Sequence, residues 1–422
     1  MKKKYFTNIL HSEKINKLAF VGNTSFSLYK FRLGVMRNFI SKGYEVIAIA
    51  PEDEYSRLFE IENIKFIPIE IDGKGKSVLK DIRLTQKFYN IYKINEIDFI
   101  FHYTIKPNIY GSIACRMLKI PSIAITTGLG YSFNKKNIFN LFIKTLYRIA
   151  LGKVLEVWFL NSNDKNTFIK NKIIKANRAF ILKSEGVDSN YYLPHEKSKK
   201  SEKMIFLLLS RLIKEKGIEE YVQAAQILKN KGLNVECQLL GKIEKESNKN
   251  ISIDIVTKWH NAGYINYLGE SIDVREYIIN SDCVVLPSYY MEGVPRCLME
   301  GMCMERPIIT TNNVGCNELI IDNVNGYICE PRNIPDLANK MELMYNTSFN
   351  DRQQFGKNGR KRILDFFDET KIIEQYHFKL NSFYSNPHDK RLNCIVQDPI
   401  KRDITIGTNT EKMERGFQNL HY

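Results

Sequence analysis

The sequence predicts an α/β protein made of two Rossmann-like domains that face each other across a cleft. Three observations carry that expectation. At 422 residues the chain exceeds what one compact core accommodates. Short apolar runs alternate with amphipathic stretches along most of its length. The alternation stops at a polar break and then starts again.

The first series supplies strand candidates Leu18–Val21, Val46–Ala50, Phe66–Ile69, Phe99–Phe101, Ser122–Ile125, Val157–Leu160 and Ala179–Leu182. The intervening segments Leu28–Lys42 and Val78–Lys93 carry apolar residues at helical spacing. A second series follows at Met204–Leu209, Val235–Leu240, Ile265–Leu268, Cys283–Leu286, Pro307–Thr310 and Gly326–Ile328. Between them Tyr191–Lys203, rich in Lys, Ser and Pro, reads as a linker. Helices over Asp351–Phe367 and Thr370–Tyr384 close the folded part, and the polar Ser385–Tyr422 reads as a mobile tail. The expected division is 1–195 for the first domain and 196–367 for the second. A helix over 368–384 is expected to return to the first domain, ahead of the tail at 385–422. Ligands of open parallel sheets bind beyond the carboxyl ends of the strands, so the loops facing the cleft are where chemistry is expected.

Hydrophobic residues make up 44% and charged residues 26% of the chain, values of a globular rather than a fibrous or disordered protein. The formal charge of +15 points to an anionic partner: nucleic acid, an acidic membrane face or a phosphate-bearing substrate. No basic cluster is interleaved with a zinc-finger, RNP or helix-turn-helix signature, which sets nucleic acid aside. The eight cysteines show no CxxC spacing and read as reduced core thiols of a cytosolic protein. The seven histidines form no HxxxH pair, so no metal is expected. Met1–Leu10 lacks the apolar core of a signal peptide, and no apolar run approaches the roughly 18 residues of a membrane span. A cytoplasmic protein follows, resting at most on the inner face of the cell membrane.

The most informative stretch is Leu286–Glu318, LPSYYMEGVPRCLMEGMCMERPIITTNNVGCNE. An apolar strand ends at Pro287, the loop Glu292-Gly293-Val294 follows, and Pro295 suits the first turn of a helix. The amides of Arg296, Cys297 and Leu298 then lack intrahelical acceptors and lie at the positive end of the helix dipole, an anion site suited to a diphosphate. Glu300 lies roughly 7.5 Å further along the helix axis, about the separation of a diphosphate from its ribose. Its carboxylate can accept both ribose hydroxyls. Glu292, in the loop before the helix, stands on the other side of the phosphates, where a sugar is held.

Here the sequence resembles the retaining glycosyltransferases of family 4, whose E-x7-E signature corresponds to Glu292 and Glu300. The resemblance continues through SRLIKEKG at Ser210–Gly217, where it implies that Arg211 and Lys216 hold the donor diphosphate. In the first half it takes in FSLYKFR at Phe26–Arg32, TIKPNIYG at Thr104–Gly111, TGLG at Thr127–Gly130 and GVD at Gly186–Asp188. It implies the GT-B fold and a UDP-sugar donor without a bound cofactor. The physical case agrees: a leaving diphosphate gains charge as the glycosidic bond breaks, so fixed cations and helix amides favour the transition state. No DxD stands near the motif to hold magnesium, so metal-independent transfer is expected.

Other positions carry weaker signals. Gly22, at the end of the first strand, reads either as a close approach to the donor or as a strand-end turn, and Asn23-Thr24-Ser25 departs from the family's glycine loop. His102 follows a strand where the family carries a histidine near the reacting sugar, yet beside Phe101 and Tyr103 it reads equally as a packed core residue. Lys106 is an alternative cleft residue for an acceptor phosphate. Gly241 and Leu268 are placed to border the nucleotide base through their backbone, or to form plain turns. Glu305 occupies a position where the family has glycine. Asn134–Lys153 combines Lys135, Lys136, Lys144, Arg148 and Lys153 with an apolar stripe, as a helix on an anionic membrane or one packed on its own domain would.

The expected activity is retaining transfer of a hexose or N-acetylhexosamine from a UDP-sugar to a polyprenyl-diphosphate-linked saccharide in surface polysaccharide biosynthesis. The rivals are a UDP-sugar 2-epimerase of the same architecture and a nucleotide-sugar-binding protein without catalysis.

Overall fold

The computed structural model describes residues 15–72, 78–128, 138–196, 202–243 and 251–384. Met1–Leu10, Gly130, Lys135, Lys136, the middle of the expected linker and the 385–422 tail lie outside those residues.

The first sheet holds β1 (Lys17–Val21), β2 (Glu45–Ala50), β3 (Lys65–Pro68), β4 (Phe99–Tyr103), β5 (Ser122–Thr126), β6 (Glu156–Phe159) and β7 (Ala179–Ile181). Its helices are α1 (Ser25–Ser41), the single turn α2 (Leu58–Ile61), α3 (Val78–Ile94), α4 (Ser112–Leu118), α5 (Ile138–Leu151) and α6 (Ser162–Lys170). The second sheet holds β8 (Met204–Leu209), β9 (Val235–Leu240), β10 (Asn266–Tyr267), β11 (Cys283–Leu286), β12 (Ile308–Thr311) and β13 (Gly326–Cys329). Its helices are α7 (Ile218–Asn230), α8 (Ile253–Asn261), α9 (Arg275–Asn280), α10 (Arg296–Cys303), α11 (Ile334–Asn346) and α12 (Phe349–Phe366), and α13 (Glu369–Tyr384) closes the described chain.

The strand orders are β3-β2-β1-β4-β5-β6-β7 and β10-β9-β8-β11-β12-β13, and the pairings are parallel. In each sheet the winding reverses beside the first strand, between β1 and β4 and between β8 and β11. Such a switch point opens a crevice beyond the strand ends.

Alternation along β8 explains why the second sheet is covered on both faces. Phe206 and Leu208 point to a core shared with Tyr221, Ala225 and Leu228 of α7. Leu207 and Leu209 point to the opposite core, with Leu298 and Met302 of α10 and Ile363 of α12. Each fully buried side chain of this size is worth about 1.5–3 kcal/mol. Gly301 lets α10 lie close on the sheet, since a Cβ there would stand 2.9 Å from Val284 Cγ2.

Val187 pairs with Asp368 in an isolated parallel bridge just before α13 begins. Along α13, the Tyr376 hydroxyl lies 2.8 Å from that of Tyr103 on β4, and the Tyr376 ring packs on Trp158 at 4.9 Å between centroids. Glu305 takes the left-handed conformation at φ 56, so the glycine-type turn forms here with a glutamate, at a cost of roughly 1–2 kcal/mol.

Candidate functional site

The carboxyl ends of β8 and β11 carry the two halves of the site. After β8 the chain passes Ser210 and the exposed Arg211, then makes a 3-10 turn over Lys214–Lys216. Gly217 ends that turn at φ 77, where a Cβ would stand 2.1 Å from the Pro287 carbonyl oxygen. A side chain is therefore excluded, and the turn lies directly on the loop that follows β11. The Glu215 carbonyl accepts from the amides of Tyr289 and Tyr290 at 2.9 and 3.0 Å. These bonds bring Lys216 to Glu292, with which it forms a salt bridge. Ser288 donates to the same carboxylate oxygen at 2.9 Å.

The environment of this pair is dry. Glu292 is 9% exposed, and the Lys216 ammonium lies 5.7 Å from the centre of the Tyr290 ring. Burial penalises that ammonium, but the Glu292 carboxylate outweighs it, so the Lys216 pKa stands above the ordinary lysine value. Lys216 is a fixed cation throughout the neutral range.

Helix α10 opens at Arg296, with Pro295 as its N-cap rather than in its first turn. The ring fixes the Pro295 φ at −66 while its ψ of 119 is extended. The Met299 amide donates to the Pro295 carbonyl at 3.4 Å, which begins the helical ladder. The amides of Arg296, Cys297 and Leu298 therefore precede the helical ladder. Burial pushes the Cys297 thiol up to about 12, and it feels the charges of Lys216, Glu300 and Glu292 together. This residue marks the space between the two carboxylates.

One turn on, Glu300 Oε1 accepts from Arg296 Nε at 3.2 Å and from the Tyr192 hydroxyl at 2.9 Å. Burial raises the Glu300 pKa, and Arg296, Tyr192 and Lys30 offset part of that rise. Tyr192 corrects the linker expectation at its start. Asp188 accepts from the amides of Asn190 and Tyr191 at 2.9 and 3.0 Å, folding this stretch back toward α10 instead of leaving it as a spacer.

The first sheet contributes the opposite wall. Asn161 Nδ2, at the N-cap of α6, donates to the Glu292 carbonyl at 3.5 Å. A Cβ at Gly293 would stand 2.7 Å from the Thr127 carbonyl oxygen. Gly293 is where the ends of β5 and the Glu292 loop touch, and Val294 packs partly buried against the second core.

The remaining candidates make other contacts. His102 is fully buried; its Nε2 shares a 3.0 Å hydrogen bond with the Tyr92 hydroxyl and its Nδ1 lies 3.5 Å from Ser112 Oγ. Burial lowers its pKa to about 3. The structure thus packs it among Tyr92, Ser112 and Cys115, on a strand whose two faces are both covered. Gly22 is a packing position, where a Cβ would stand 2.8 Å from Leu28 Cγ. Gly241 donates to the Gly269 carbonyl at 2.7 Å and accepts from the Tyr267 hydroxyl at 3.0 Å, while the Leu268 amide is used by Leu239. Lys106 is paired with Asp81 at 2.9 Å. Among the described residues no cluster of His, Cys, Asp and Glu could hold a metal ion.

Comparison with known proteins now bears on this geometry. Residues 193–362 match the family model described as glycosyl transferases group 1. Residues 17–161 match the model described as glycosyl transferase 4-like. The chain belongs to the family 4 glycosyltransferases. One curated relative is the N,N'-diacetylbacillosaminyl-diphospho-undecaprenol alpha-1,3-N-acetylgalactosaminyltransferase of Campylobacter jejuni, 27% identical over 85% of this chain and 97% of that protein. Another is the UDP-Gal:alpha-D-GlcNAc-diphosphoundecaprenol alpha-1,3-galactosyltransferase of Escherichia coli, 23% identical over 71% of this chain and 79% of that protein. Among solved structures, a Rickettsia africae glycosyltransferase superposes with a TM-score of 0.75 at 19% identity, covering 89% of this chain and 100% of that one. The protein is a glycosyltransferase with the GT-B fold, and these relatives favour transfer over the epimerase and non-catalytic alternatives.

Sequence reasoning missed several members of this glycosyltransferase site. Ser288 left a signal, as the polar residue straight after the strand-ending Pro287. The Arg296 side chain left one too, in its i,i+4 spacing from Glu300. Tyr192 and Asn161 left none, since each acts through a contact between distant segments.

Proposed function

We propose that this glycosyltransferase moves a hexose or N-acetylhexosamine from a UDP-sugar to a polyprenyl-diphosphate-linked saccharide, with retention of configuration. The observation that carries the proposal is the buried Lys216–Glu292 pair beside the opening of α10, with Glu300 one turn beyond. In this scheme the diphosphate lies at the amides of Arg296, Cys297 and Leu298, and Lys216 and Arg211 face its oxygens. Glu300 accepts the ribose hydroxyls, and Glu292 orients the sugar ring. As the glycosidic bond breaks, the electron pair stays on the leaving phosphate. An ammonium already held charged in a dry site stabilises that anion without solvent having to reorganise. No metal is required in this scheme.

The acceptor class is supported by the two bacterial relatives, whose names specify undecaprenyl-diphosphate-linked saccharides. The surface of α5 supports a lipid-facing site. Leu141, Phe142 and Ile149 are 63%, 51% and 51% exposed on that helix, and Lys144 and Arg148 lie among them. An apolar stripe flanked by cations suits an anionic leaflet. No helix of the described residues is long and apolar enough to cross a membrane, so contact at the cytoplasmic face is peripheral in this proposal.

The test is transfer from a panel of UDP-sugars to a short-chain polyprenyl-diphosphate saccharide, with the new anomeric configuration read by NMR. Products whose anomeric configuration matches the donor are expected. Inverted products, or transfer only from donors other than UDP-sugars, would overturn the proposal.

A further inference from the structure

One turn of α1, on the first sheet, reaches the surroundings of Glu300 on the second with three consecutive side chains. Lys30 Nζ donates to the Ile272 carbonyl at 3.3 Å, and its charge interacts with Glu300, Asp273 and Arg296. Phe31 lies under the Arg296 guanidinium, 5.5 Å from ring centre to Cζ. Arg32 forms a salt bridge with Glu185. The Gly186 carbonyl, one residue on, accepts from Arg296 Nη1 at 3.0 Å, and Arg296 Nε donates to Glu300.

Arg32 has no role in the scheme above, yet it is costly to place. It is 3% exposed, and its Nε has no hydrogen-bond partner. Burial lowers its pKa to about 10. Its guanidinium rests on the Tyr103 ring at 4.4 Å, and Nη1 donates to the Ser27 carbonyl at 2.6 Å. A guanidinium taken this far from water costs more to bury than an apolar side chain of similar volume, which raises the question of what its pairing positions. Glu185 is joined directly to the Gly186 peptide. Gly186 stands at φ 80, where a Cβ would lie 2.9 Å from Glu369 Cα, so this bend beside α13 needs a glycine. Its carbonyl accepts from the guanidinium of Arg296, which is otherwise held by the Phe31 ring and by its i,i+4 partner Glu300.

We propose that Arg32 is a positioning residue for donor binding: through Glu185 and the Gly186 carbonyl it sets Arg296, and thereby the orientation of the ribose carboxylate Glu300, from the opposite domain. This inference rests on the assignment of Glu300 to the donor ribose. It makes nucleotide affinity depend on the first domain being seated against the second.

The experiment is calorimetric binding of UDP and of 2′,3′-dideoxy-UDP to the full-length protein, the variants being R32M, R32K, E185Q and E300Q. R32M and E185Q are expected to weaken UDP about tenfold, while dideoxy-UDP, which offers Glu300 no hydroxyls, binds all variants as it binds the wild type. R32K, which keeps a cation for Glu185, recovers part of the loss. In steady state the R32M donor KM rises while the acceptor KM stays. Equal weakening of both nucleotides by R32M, or UDP binding lost in E300Q but kept in both R32M and E185Q, overturns the role of Arg32 and leaves the ribose assignment standing. Unchanged UDP binding in E300Q removes the ribose assignment, and the proposal with it. E185Q is the gentler change and decides the matter if R32M fails to fold.

Discussion

Glu292 meets its cation across 76 positions of sequence, whereas Glu300 meets Arg296 one helical turn away. The first pair exists only when the turn after β8 is docked on the loop after β11. The second can form in α10 alone, where an exposed i,i+4 pair is worth only about 0.3–0.5 kcal/mol. Their titration differs accordingly. Lys216 is driven toward its charged form by Glu292, while burial pushes Glu300 toward its neutral form against Arg296, Tyr192 and Lys30. The Glu292 end of the site is thus held in charge and geometry by a distant cation, whereas the charge of the Glu300 end is set by burial against its neighbours.

The hardest blow to that contrast is Lys216→Ala. It removes the fixed cation and leaves Glu292 buried and unpaired, so kcat/KM is expected to fall at least about 1,000-fold, with stability down by about 3 kcal/mol. Adding Glu292→Gln should restore much of the melting temperature and none of the turnover. Steady-state kinetics and thermal unfolding read the two effects separately.

At the other end, Glu300→Gln keeps the shape and removes the charge-assisted bonds, worth about 1.5–3 kcal/mol. Donor KM should rise roughly 10- to 100-fold, with a smaller change in kcat. A loss confined to kcat would mean that the two carboxylates have been assigned the wrong ends of the donor.

His102→Ala probes a residue outside the contrast. The change empties a buried position and orphans the Tyr92 hydroxyl, costing about 2–3 kcal/mol of stability. Turnover of the folded fraction should stay within about threefold of wild type; a larger drop would bring the histidine back into the chemistry.

The smallest expected effect is in pH. In the proposed scheme the carboxylate form of Glu300 accepts the ribose hydroxyls, and its raised pKa means that this form is lost as pH falls through a value above the ordinary glutamate one. Donor KM should therefore climb on the acid side of neutrality by a few-fold, and this limb should be missing from Glu300→Gln. The raised Lys216 pKa predicts no alkaline loss from that group near neutrality.

Much of the architecture was legible because parallel strands buried on both faces leave continuous apolar runs in the sequence, as β8 does with Met204–Leu209. The Glu292–Glu300 spacing was legible for the same local reason: it spans one strand end, one loop and one helix. His102 was ambiguous because it sits on a strand buried on both faces, where position along the strand does not tell a packed histidine from one that reaches the strand-end loops. Pro295 shifted by one position because a proline fixes φ alone, and its extended ψ made it a cap.

By itself, then, the sequence determined the doubly wound order of elements, the helix that follows Pro295, and a carboxylate on either side of that helix's first amides. Those features depend on hydrogen bonds and periodicities within a few residues. Tertiary structure alone decided that Lys216 pairs with Glu292, that Tyr192 and Arg296 share Glu300, and that α1 of the first domain stands behind them. Apart from the i,i+4 pair of Arg296 with Glu300, these contacts join segments whose separation along the chain carries no periodic trace, and only tertiary packing brings them within reach.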